Sequence, residues 1–97
     1  MKGVFIAYNQ AYNMEVADML EKLGCRGFTM WRDVSGRGSV EGEPHYGDHA
    51  WPTLNNAVLA MVPDEKVDDI LQEVSIMDEE TSALGMRAYV WNIEKAY

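Results

Sequence analysis

His45 and His49 are the only histidines in the chain, and both lie in "GSVEGEPHYGDHAWP", Gly38 to Pro52. Imidazole pairs four residues apart are ligands for Zn²⁺ or Cu²⁺, and Glu41, Glu43 or Asp48 would supply a third donor. On a helix the spacing would aim both rings one way, but Pro44 and Gly47 argue against a helix here. The alternative is that the histidines hydrogen-bond to hold the loop or its partner. A second candidate overlaps the first. "SGRGSVEG" has closely spaced glycines whose backbone N–H groups can face an anion, with Arg37 adding positive charge. It lacks the Gly-Lys-Ser/Thr ending of a P-loop and does not fit the dinucleotide fingerprint. A tight-turning loop is the plain alternative.

Catalytic constellations are missing from this picture. No serine sits in a nucleophile elbow, and no carboxylate pair is set apart by context from surface acid, so an enzyme is not expected. Cys25 stands alone, which gives no disulfide framework and points to a reducing cytoplasm. A small buried hydrophobe is the preferred role for its thiol.

The elements that must hold these residues follow from hydrophobic period. "KGVFIAYN" is a β-rich run bounded by Asn9 and reads as a first strand, not a signal peptide. Val16, Met19, Leu20 and Leu23 fall at helical spacing and Gly24 closes that helix. "GFTMWRDV" alternates as a second strand. The segment 35–52 is too rich in Gly and Pro for a helix and too long for a hairpin turn. "NNAVLAMV" is apolar on both faces, so it is expected to be a central strand. Pro63 and Asp64 open a second helix with Val67, Ile70, Leu71 and Val74 as its stripe. "GMRAYVWNI" is the last strand. The longest apolar run, Ala57 to Val62, is far too short to cross a bilayer, and no membrane insertion is expected.

Two helices, each following a strand, predict a single α+β domain over residues 1–97. Its architecture is the ferredoxin-like βαββαβ, with both helices on one face of an antiparallel four-stranded sheet. Trp31, Tyr89 and Trp91 lie on strands, where they either fill the core or cover the other sheet face in an oligomer. A net charge of −8 argues against nucleic acid as a partner. Eight carboxylates between Asp64 and Glu80 read as a solvated helix face, with a docking surface for a basic partner as the lesser reading.

"LGCRGFTMWRDVSGRGSVEG", "AMVPDEKVDDILQEV" and "GMRAYVWNIEKAY" together resemble the PII signal-transduction family over nearly the whole chain. The resemblance implies a homotrimer of ferredoxin-like subunits. It also implies a non-enzymatic regulatory role, as in nitrogen regulation, and an effector-sensing T-loop, here the shortened 35–52 segment. That loop would reach a membrane transporter or a regulated enzyme, and the inter-subunit clefts would take adenine nucleotides. Carried over residue by residue, the effector-binding positions are Gly27, Thr29, Gly36, Arg37, Gly38 and Arg87. The departures are Ser39 for a glutamine, Asn55 for a lysine, "LGMR" for the glycine-rich approach to the last strand, and a chain that stops before two phosphate-gripping arginines. They imply weakened ATP binding. The surroundings of Tyr46 do not match the family's modified tyrosine. Links of PII-like subgroups to heavy-metal efflux, and the trimeric copper-tolerance CutA proteins, support metal at His45 and His49 as the alternative function.

Overall fold

The computed structural model describes residues 1–38, 40–80 and 85–97. Ser39 and Leu84, two of the sequence departures, lie outside the described residues. The elements in chain order are β1 (Lys2–Asn9), α1 (Asn13–Lys22), β2 (Phe28–Val34), β3 (Gly36–Arg37), β4 (Pro44–His45), β5 (Asn55–Val62), α2 (Val67–Glu80) and β6 (Arg87–Asn92). Short 3-10 turns lead into both helices, at Gln10–Tyr12 and Asp64–Lys66. The main sheet runs β2-β5-β1-β6 with every pairing antiparallel, which is the expected ferredoxin-like order.

Alternation along the strands separates two faces. Val4, Ile6 and Tyr8 of β1, with Val58, Ala60 and Val62 of β5, form the floor under Val16, Met19 and Leu20 of α1 and Ile70 and Val74 of α2. Each of these side chains is nearly or fully buried, so this layer carries most of the hydrophobic stabilisation. Both helices therefore cover the same face. As expected, β5 is central, flanked by β2 and β1. Gly24 at the end of α1 has φ +75°, the left-handed residue anticipated from its missing Cβ.

Among the described residues no helix lies on the other face. Trp31, Met61, Tyr89 and Trp91 remain 44%, 47%, 58% and 44% exposed there. Trp91 is paired with Gly3 across the β1–β6 ladder and its indole lies over that glycine: a Cβ at Gly3 would be 2.9 Å from Cε2. Of the two roles open to these aromatics, the described chain assigns none of the three to its helix-side core.

The segment 35–52, expected as a loop that is neither helix nor hairpin turn, carries one short ladder: β3 pairs with β4, with Gly36 opposite His45 and Arg37 opposite Pro44. Beyond it, Asp48 N–H donates to the Trp51 carbonyl at 3.0 Å while the Asp48 carboxylate accepts from Trp51 N–H at 2.7 Å. Gly47, at φ +67°, lets the chain leave the hairpin into this turn. Gly47, one of the glycines that ruled out a helix, thus leads into a tight turn at 48–51.

Candidate functional cleft

The sheet's helix-free face and the foot of the hairpin enclose a cleft of about 290 Å³. Its position begins with a bulge in β2. The ladder with β5 slips between Trp31 and Val34, and Asp33 takes φ +58°, a conformation that aspartate tolerates better than most residues. Asp33 N–H then donates to Asn56 Oδ1 at 3.0 Å. After this bend Val34, Ser35 and the hairpin strand β3 rise over Ala7, Ala57 and Phe5 and wall the cleft.

Gly36, Arg37, Gly38 and Arg87, four of the six expected effector-binding residues, line this one cleft. Gly38 must be glycine, because a Cβ would sit 2.7 Å from the Gly85 carbonyl oxygen and 3.1 Å from its Cα. Gly85 itself has φ +67°. The two backbones meet directly, closing the rim between the hairpin and the start of β6. Gly27 and Thr29 do not line the cleft; they belong to the β2 end of the sheet, and Gly27 has open space where a Cβ would be.

Among the described residues, Arg37 and Arg87 are the cationic ones in the lining, and no carboxylate joins them there. Arg37 Cζ lies 6.0 Å from the centroid of the Tyr46 ring, at the outer limit of a cation–π contact. Arg87 is held from behind: Nη1 is 3.3 Å from Asp78 Oδ2 and donates to the Met86 carbonyl at 2.7 Å. The cleft is thus weakly cationic with apolar walls, suited to a small or moderately charged anion attached to a flat or apolar group.

Asn55, noted in the sequence only as a departure, is also a wall residue. Its Oδ1 lies 2.6 Å from His45 Nδ1. An amide oxygen only accepts, so the ring carries its proton on Nδ1. His45 is 3% exposed, whereas His49 is exposed. The two imidazoles therefore occupy different surroundings, and among the described residues no group of three or more His, Cys, Asp or Glu side chains is placed to hold a metal ion. Sequence reasoning missed Phe5 and Tyr89, which face each other in the β1–β6 register and line the cleft. Strand period alone would have found Tyr89, two residues beyond Arg87 on the same face.

The family model described as "Nitrogen regulatory protein P-II" matches residues 1–97. None of the curated proteins matches the chain in a direct comparison of sequences. Among solved structures, CPII, a nitrogen regulatory PII-like protein from Thiomonas intermedia K12 bound to ADP and bicarbonate, is 25% identical. The match covers 95% of this chain and 84% of that one, with a TM-score of 0.76. The same protein bound to ADP, AMP and acetate is 23% identical with a TM-score of 0.78, covering 99% and 88%. A PII-like signaling protein from Thermus thermophilus is 23% identical with a TM-score of 0.65, covering 95% and 85%.

Proposed function

The chain belongs to the nitrogen regulatory P-II family, and from that premise we propose that it is a non-enzymatic regulator which binds an adenine nucleotide in the 36–38/55/87 cleft. Occupancy changes the 36–52 loop and through it the affinity for a partner protein, a membrane transporter or a regulated enzyme. The observation that carries this reading is the convergence of Gly36, Arg37, Gly38 and Arg87 on one cleft without a carboxylate among the described residues of its walls. The Thiomonas protein, described as bound to ADP, AMP and bicarbonate, supports the ligand class.

Two guanidiniums, one of them already paired with Asp78, match one or two phosphates better than three. AMP and ADP are accordingly the preferred ligands over ATP, in keeping with the departures at Asn55 and the approach to β6. Bicarbonate is a candidate co-ligand on the strength of the same relative.

The working form in this proposal is a cytoplasmic trimer. Its subunits cover the Trp31, Met61, Tyr89 and Trp91 face with one another, as closed symmetry favours for a large apolar face. Gly27 and Thr29, which do not reach the cleft of their own chain, then complete the cleft of a neighbour. The metal reading has no comparable support, since His45 is engaged by Asn55 and His49 stands apart in solvent.

Isothermal titration with AMP, ADP and ATP tests the ligand. Saturable binding of AMP or ADP that falls at least tenfold in Arg87→Ala, the loss of about one charge-assisted contact, supports the proposal. Equal, weak heats for wild type and variant contradict it.

A further inference from the structure

We infer that the Asn55–His45 hydrogen bond is the joint through which an occupant of the cleft acts on the hairpin; the inference deepens, and rests on, the nucleotide-binding reading above. Asn55 and His45 are 4% and 3% exposed, and each is the other's buried polar partner at 2.6 Å. Asn55 begins β5 and lines the cleft, whereas His45 belongs to β4 and does not. The bond therefore crosses from the cleft wall into the loop.

Two features make this joint sensitive. The β3–β4 ladder has only two residue pairs, and in one of them Pro44 has no N–H to give. The hairpin thus depends on its side-chain anchor more than a full ladder would. Gly36, opposite His45, leaves no room for a side chain beside the same amide: a Cβ there would stand 2.9 Å from Asn55 Nδ2. An occupant that hydrogen-bonds or crowds the Asn55 amide must turn it, which withdraws Oδ1 from His45 and shifts Gly36. Leaving the buried Nδ1–H without a partner is costly, so the hairpin has to move with the amide.

Hydrogen exchange across 36–47, read with and without AMP or ADP at saturation, tests the joint in wild type, His45→Phe and His45→Gln. Exchange in β1 and β5 reports whether each variant is folded. In wild type the nucleotide should alter exchange of the hairpin several-fold. His45→Phe should exchange there about fivefold faster without nucleotide, the ratio set by losing one neutral hydrogen bond. It should still bind nucleotide, and binding should no longer alter the hairpin. His45→Gln, which keeps a donor, should regain part of the response. A hairpin in His45→Phe that answers nucleotide as wild type does overturns the joint while leaving the binding reading intact. A wild-type protein that takes up no nucleotide overturns both.

Discussion

Asp78 on α2 holds Arg87 at the mouth of the cleft, its Oδ2 3.3 Å from Nη1, while its Oδ1 accepts from Met86 N–H at 3.2 Å. One carboxylate therefore fixes both Met86, the residue before β6, and one of the two cations of the cleft. It also competes with any anion that Arg87 would bind.

Asp78→Asn separates those two roles, because the amide retains an oxygen for Met86 N–H but drops the charge. Removing a negative charge next to a partly solvated anion site is worth about 1 kcal/mol. ADP should bind roughly fivefold tighter, as read by titration calorimetry. The half-exposed ion pair adds little to stability, so the melting temperature should hardly change.

Gly38→Ala and Gly27→Ala should behave in opposite ways. At Gly38 the new Cβ meets Gly85 backbone at 2.7 Å, and neither chain has a flexible end to give way. The variant should lose about 1–3 kcal/mol in urea denaturation and bind nucleotide poorly. At Gly27 no atom lies within 4 Å, so stability should stay within about 0.5 kcal/mol of wild type. Any loss of nucleotide affinity in Gly27→Ala then reports a neighbouring subunit.

The helix-side fold was legible because its signals are periodic. Val16, Met19, Leu20 and Val67, Ile70, Val74 announced two one-sided helices, and the doubly apolar "NNAVLAMV" announced a central strand. The cleft was legible only in part. Arg37 and Arg87 are fifty residues apart, and their convergence depends on the β1–β6 register and the Asp33 bulge, which leave no local pattern. The buried asparagines were the least visible. Asn55 and Asn56 read only as the start of a strand, yet Asn56 Nδ2 donates to the part-buried Asn13 Oδ1 at 2.9 Å and Asn55 Oδ1 lies 2.6 Å from His45 Nδ1. Polar residues that satisfy each other inside a fold carry no periodic mark. The β3–β4 pairing inside the 35–52 segment was not foreseen for a related reason: glycines and prolines exclude a helix but are compatible with a two-pair ladder.

Trp91→Asp places a charge on the helix-free face, where Trp91 covers Gly3 and is 44% exposed. Burying that charge against a second subunit would be costly without a partner. The variant should sediment as a monomer at concentrations where wild type is associated, with its helix content retained.

Cys25 should be unreactive in the folded protein. It is 5% exposed, and burial pushes its thiol above the ordinary range, against the opposing pull of Lys66. The thiolate is the nucleophile, so iodoacetamide at neutral pH should label the native chain far more slowly than the urea-unfolded one. The sign for stability follows: the unfolded chain loses its proton first as pH rises, so stability should decline above the ordinary thiol pKa, about 8.5.

A native mass spectrum taken with ADP addresses the central claim most directly, because it counts subunits and nucleotides in one particle. The account predicts a trimer carrying up to three nucleotides, with uptake sharply reduced in Arg87→Ala while the trimer persists. A monomer, or a trimer of wild type that carries no nucleotide at millimolar ADP, would contradict it.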